Sequence, residues 1–221
     1  IIIEDPTEMA ALERDMASRK AFAFDIETDG LKFYEDTIMG IGFCNRVGQA
    51  YYVPLYQSVS KDPYWGEHQD MVLDSLKRIM TNPVKKMAHN GKFDVKFIDY
   101  QWNIQTKNFA VDTMLLHYIL DENRPHGLNY DEESFGNVPV EVLGPYCAMD
   151  CETTYRLAKK LIPELKGKLK KLFFNFYMPL SKVYQAGELV GVKVDVPYIK
   201  KIYEENELKL ADVEASIFKL A

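Results

Sequence analysis

The chain has 221 residues, 47% of them apolar, with 14 tyrosines and 12 phenylalanines, enough for a real core and too many for a disordered chain. Its formal charge is −6, unusual for a nucleic-acid binder, and it is uneven: residues 1–162 carry 17 basic and 25 acidic side chains, residues 163–221 carry 10 and 8. No apolar run approaches the ~20 residues that span a bilayer, no signal peptide is present, and a start at Ile1 reads as a fragment.

Ile1 to Ile3 reads as a short strand and Pro6 to Ser18 as a helix. AFAFDI is nearly all apolar, as a buried central strand is, and Asp29-Gly30 signals a turn. Thr37 to Cys44 and Gln49 to Val53 are strands around a turn at Asn45 to Gly48, making an antiparallel meander. After a polar and aromatic loop from Pro54 to Gly66, a helix over Glu67 to Thr81 puts Met71, Leu73, Leu76, Ile79 and Met80 on one face. Lys85 to His89 is a short strand, Asn90-Gly91 turns into a helix over Lys92 to Tyr100, and Asp112-Thr113 begins a helix to Leu120. Residues 121–139 are a polar connection, and Val140 to Leu161 is a helix. Beyond Pro163 the spacing predicts long helices, with a kink at Pro179, a break at Gly191 and a new start capped by Asp195.

Three segments deliver acids: Asp25 and Glu27 in AFAFDIETDGL, Asp94 in HNGKFDVKFI, and Asp150 in YCAMDCETTYRL. Gathered carboxylates repel one another unless a cation lies between them, and oxygen-only ligands suit hard ions such as Mg²⁺ or Mn²⁺. Asp25 and Glu27 are two apart on a strand and so face the same way. The spacing alone means little, because Asp131/Glu133, Asp150/Glu152 and Asp212/Glu214 repeat it. The apolar strand before the first pair is what sets it apart. Asp94 has two readings, a metal ligand or a carboxylate favoured by a helix N-terminus. Lys92 and Lys96 beside it meet either phosphate or solvent. Tyr146 and Asp150, at i and i+4, are neighbours about 6 Å apart along one helix face. Such a tyrosine suits orienting a water better than acting as a base. Cys44, Cys147 and Cys151 read as buried thiols of a reducing compartment, and His89 and His126 as non-catalytic. The conjunction is a two-metal phosphodiesterase site.

With these residues assembled, the chain resembles the 3′–5′ proofreading exonuclease domain of family A, polymerase I-like, DNA polymerases. The resemblance is to the tyrosine subclass of the DEDD exonucleases. FDIETDGL, HNGKFD and YCAMD match the three motifs, VDTMLLHYILD and HGL the stretch after the second. FNFYMPLSKVYQAGELVGVKVD resembles the entry into the polymerase domain. The resemblance implies an α/β, ribonuclease H-like fold: a mixed β-sheet flanked by helices, followed by the long α-helices of a truncated polymerase domain. Residues 1–162 are then the exonuclease domain and 163–221 the incomplete start of the next.

It also implies roles. Asp25, Glu27 and Asp150 hold one divalent metal ion and Asp94 chiefly serves a second, while Tyr146 and Glu27 place the attacking water. Leu31 wedges against the terminal bases, Thr28 lies where the backbone meets the 3′ end, and Asn90 and Phe93 line the single-strand cleft. LNYDEESFG departs from the family pattern, leaving Tyr130 and Phe135 as candidates for a DNA-contacting aromatic. The implied partners are a single-stranded or frayed DNA 3′ end and a polymerase domain in the same parent chain, in a monomer, in a bacterial or phage-infected cytoplasm. The alternatives are an RNase D-like exonuclease trimming RNA 3′ ends and a non-catalytic DNA-binding spacer.

Overall fold

The computed structural model describes residues 1–57, 60–128 and 138–220. It forms two compact units, Ile1–Leu189 and Val190–Ala221.

In the first unit, Asp5 caps helix α1 (Pro6–Ala17) by accepting the N–H groups of Thr7 and Glu8, and Met9, Leu12 and Met16 point inward. Three strands follow as a meander: β1 (Ala21–Thr28), β2 (Ile38–Arg46) and β3 (Gln49–Pro54). Helix α2 (Gln69–Thr81) returns the chain to β4 (Lys85–Ala88), which lies parallel to β1. Helix α3 (Gly91–Trp102) leads to β5 (Phe109–Asp112), parallel to β4. The sheet order is β3-β2-β1-β4-β5, mixed in direction, with β1 at its centre. Helices α4 (Thr113–Leu120) and α5 (Val140–Leu161) complete the layer, α5 packing across β1, β2 and β3.

The mixed sheet and flanking helices agree with the sequence expectation. Strand β5 was not expected: FAVD offers only four residues between a polar turn and the Asp112 cap, too short to show a period. The segment at Ile1–Ile3 makes one parallel bridge, at Ile2 to Tyr52, rather than a strand. In α2 the inward face is Val72, Ser75, Leu76, Ile79 and Met80, while Met71 is exposed. That set keeps the 3.6 period more closely than one including Met71 and Leu73.

Helix α6 (Gly167–Leu172) runs into a wide π turn, Phe173–Tyr177, before α7 (Met178–Val190). The irregularity lies just upstream of Pro179, whose missing N–H and bulky ring disturb the carbonyl four residues back. The widened turn puts Phe173, Met178 and Ser181 inward.

In the second unit Gly191, at φ +70°, ends α7, and Asp195 Oδ1 accepts the N–H of Tyr198 at 3.0 Å to begin α8 (Val196–Leu220). Along α8 the apolar stripe Ile199, Tyr203, Leu210, Val213 and Ile217 is exposed. Among the described residues no helix is long and apolar enough to cross a membrane.

Candidate metal and nucleic-acid site

The register of β1 explains why its two acids fit inside. Asp25 pairs with Gly42 and Glu27 with Gly40 on β2, and Gly42 in turn pairs with Tyr52 on β3. Cross-strand partners share a face, so the neighbours of both acids on this face are bare backbone. Helix α5 closes down on that bareness. A Cβ on Gly42 would lie 2.6 Å from Cys151 Sγ and 2.8 Å from Cys147 Sγ. A Cβ on Gly40 would lie 2.1 Å from the Tyr52 hydroxyl. Alternating glycines in a strand mark such a close approach.

Glu27 is buried and Asp25 half-buried. Asp94, buried on α3, reaches across 68 residues of sequence: its Oδ1 accepts the N–H of Ile26 at 3.0 Å. The carboxylate is therefore pinned between the two acids of β1. Its place near the helix start depends on Asn90, which adopts a left-handed conformation (φ 55°) as N-cap. The Asn90 N–H is fixed in turn by Asp112 Oδ1 at 3.1 Å. Asp112 also caps α4 through Met114 and Leu115, so one buried acid ties two helix starts together.

Asp150 completes the group from α5, and Tyr146 sits one turn before it, half-buried. The electrostatics show the crowding. Burial raises the Asp25 carboxyl well above the usual range, and the charges of Asp94 and Asp150 raise it further. Burial, then Asp25 and Asp150, pushes Glu27 up to about 9. Asp94 is pushed up to about 8 by burial, although the Ile26 N–H opposes the shift. For Asp25 and Glu27 the Cys147 thiol opposes the shift. Such a set of oxygens holds charge at neutral pH when a cation joins it, so the donors fit a hard divalent ion.

Cys147 was expected to be an inert buried thiol. It is buried, yet its Sγ donates toward the Asp25 carbonyl at 3.6 Å and Oδ2 at 3.9 Å. The sequence held a signal for this, since Cys147 lies three residues before Asp150 and shares its helix side. Tyr52, on the third strand, had no local signal.

The remaining expected residues lie around this centre. Thr28 is buried, its Oγ1 donating to the Gly30 carbonyl at 2.6 Å. Leu31 stands 74% exposed in the following loop. Asn90 is exposed, and Phe93 is half-buried with its ring centroid 4.7 Å from that of Phe97. Lys92, 33% exposed, and Lys96, 15% exposed, both pair with Glu188 on α7. His89 turns to Thr113, its Nδ1 2.9 Å from the hydroxyl, and burial pulls its pKa down to about 4. His126 pairs with His117 at 2.8 Å. Nε2 of His89 is buried with no hydrogen-bond partner among the described residues. Tyr130 and Phe135 lie outside the described residues.

Comparison with known proteins adds a family. The profile of the DNA polymerase A family described as 3′–5′ exonuclease matches residues 1–130. DNA polymerase I of Chloroflexus aurantiacus is 28% identical over 245 aligned positions, covering 100% of this chain and 25% of that protein. The chain spans about a quarter of the length of the curated relatives it matches. Among solved structures, the POL domain of Pol1 from M. smegmatis aligns with a TM-score of 0.69 and 16% identity, over 96% of this chain and 36% of that one. Escherichia coli RNase D aligns with a TM-score of 0.60 and 16% identity, over 85% of this chain and 50% of that one.

Proposed function

This chain belongs to the 3′–5′ exonuclease family of DNA polymerase A, and from that premise we propose that it removes nucleoside 5′-monophosphates from DNA 3′ ends as the proofreading part of a longer polymerase. The observation that carries the proposal is the convergence of Asp25, Glu27, Asp94 and Asp150 from β1, α3 and α5, each of the first three raised in pKa by burial and by its acidic neighbours.

In this reading Asp25, Glu27 and Asp150 hold one divalent cation, Mg²⁺ or Mn²⁺, and Asp94 chiefly serves a second. Such ions supply Lewis-acid stabilisation of phosphate oxygens and acidify a water. The chain's own groups do the positioning. The Ile26 N–H locks Asp94 in place, which fixes where a phosphate can sit. Glu27 accepts a hydrogen bond from the attacking water, and the Tyr146 hydroxyl donates one to its oxygen, so that the two place it with a lone pair facing phosphorus. The tyrosine marks the subclass. Leu31 wedges between the last bases, the Thr28 backbone meets the terminal sugar, and Asn90 and Phe93 line the strand. Stacking and backbone contacts make such binding indifferent to sequence.

Residues 1–162 are the proposed exonuclease domain, and residues 163–221 the start of the polymerase domain, in a monomer of a bacterial or phage-infected cytoplasm. RNA trimming is the weaker reading, because the curated relatives that match along the chain are DNA polymerases. The test is digestion of a mismatched primer-template with and without EDTA. Metal-dependent removal of the 3′ nucleotide is expected, and full activity in Asp25→Ala or Asp150→Ala would sink the assignment.

A further inference from the structure

We propose that Cys147 is a third protein ligand beside Asp25 and Glu27, and that the three together take a thiophilic divalent cation such as Zn²⁺ or Cd²⁺. The inference rests on the metal-site reading above and adds a sulfur to it. Cys147 Sγ, an Asp25 oxygen and a Glu27 oxygen all lie within 4.8 Å of one another. Ligand atoms around a four-coordinate zinc, each about 2.0–2.3 Å from the ion, stand about 3–4 Å apart, so side-chain adjustment alone closes the gap. The approach is already directed, since the thiol points at Asp25 Oδ2 from 3.9 Å.

Tyr52 supplies an independent observation. It is fully buried, and its hydroxyl has no hydrogen-bond partner among the described residues. It shares an apolar cluster with Cys147, and its hydroxyl reaches to Gly40, the residue paired with Glu27. A buried orphan hydroxyl is costly, and a water brought in on a cation gives it a partner.

Ligand softness separates two occupancies of one locus. Carboxylates alone favour hard ions, with the thiol a protonated bystander, whereas sulfur favours softer ones. Binding the softer ion breaks the S–H bond, forms a metal–sulfur bond and releases the thiol proton to solvent, beyond the protons the carboxyls release to either kind of ion. The thiophilic ion then occupies the place of a hard ion, so it competes with Mg²⁺ or Mn²⁺.

The test is a Co²⁺ and Cd²⁺ titration of the metal-free chain, read by sulfur-to-metal charge-transfer absorption and by proton release. Wild type should show the band, and Cys147→Ser and Asp25→Asn should each lose it. Cd²⁺ affinity should fall at least about tenfold in both, the scale already seen on losing an outer-shell partner. Circular dichroism checks folding, with Cys147→Ala as the second variant. No band in wild type overturns the proposal. A band that survives Asp25→Asn but vanishes in Cys151→Ser also overturns it, because the ion then sits on the neighbouring thiols. Mn²⁺-dependent digestion by the same wild-type preparation keeps the readings apart: digestion without a band removes only the thiol ligand, a band without digestion only the exonuclease.

Discussion

Lys86 and Glu27 are both buried ionisable residues on neighbouring strands of one sheet, and the fold treats them in opposite ways. Lys86, on β4, is 0% exposed, and its Nζ donates to Asn82 O at 2.9 Å, Asn82 Oδ1 at 3.1 Å and Val84 O at 3.0 Å. It also stands 5.3 Å from the centroid of the Phe22 ring. Burial pulls its pKa only to about 8, so it stays charged at neutral pH. Glu27, on β1, meets like charges instead and is pushed to about 9, so without a cation it is neutral at the same pH. A buried charge with dedicated partners is part of the scaffold. A buried acid among acids is suited to binding a cation.

The strongest way to break this contrast is Asp25→Asn. Activity should fall by more than about 100-fold, since even outer-shell partners of a metal cost about 10–100-fold. The metal-free protein should at the same time melt higher, because the cost of burying that carboxyl among other acids, chiefly desolvation, is gone. Steady-state digestion and thermal melts in EDTA read the two effects, and a lower melting temperature would contradict the account of the cluster. Tyr146→Phe is milder. It leaves all four carboxylates in place, so Mn²⁺ affinity should hold while the rate drops about 10–100-fold, below the upper end of about 10⁴ for general acid–base groups. Isothermal titration beside single-turnover rates separates the two.

Lys86→Met probes the scaffold side. It keeps most of the packed stem but takes the Nζ donor from the Asn82 and Val84 carbonyls, while Asn82 Oδ1 keeps the Val84 N–H at 3.0 Å. The change costs about 1–3 kcal/mol of stability. Denaturant unfolding should show that loss, with Mn²⁺ affinity unchanged.

What could be read from the sequence divides along the same line. The acids of β1 and α5 were legible because each sits in a strong local pattern, an apolar strand and a Tyr–Asp pair at helical spacing. Asp94 was ambiguous, since the N–H that fixes it belongs to Ile26, 68 residues away. Strand β5 escaped notice because four residues carry no period. The approach of Cys147 to Asp25 depends on Gly40 and Gly42 being opposite the acids, a fact of register rather than of any one segment.

Acidity sharpens the contrast further. Glu27 and Asp94 have folded pKa values near 9 and 8, above their ordinary 4.5 and 3.8. The folded chain therefore binds more protons than the unfolded one between these limits, and stability falls as pH rises from about 4 to about 9. Melting temperature in EDTA should decline across that window. Mn²⁺ should flatten the decline, and proton release on binding Mn²⁺ at neutral pH should accompany it. A flat profile in EDTA would mean that the carboxylates are not crowded.

The smallest effect is expected at Glu188, and its sign is the reverse. Lys92 and then Lys96 hold its carboxyl below the usual range. Its stabilisation is therefore present at neutral pH and is lost as pH falls through that lowered value. The Lys92, Lys96 and Glu188 side chains are 33%, 15% and 36% exposed, so solvent screens the pairs. Glu188→Gln should cost no more than about 1 kcal/mol at pH 7, less in high salt and progressively less as pH falls through the lowered value. The same change releases two lysines on the helix that carries Asp94 and Phe93. KM for a single-stranded oligonucleotide should then drop slightly at low salt, with kcat unchanged, because freed cations near the strand improve ground-state binding alone. A fall in kcat would instead mean that Glu188 steadies α3, and with it Asp94, through the two lysines.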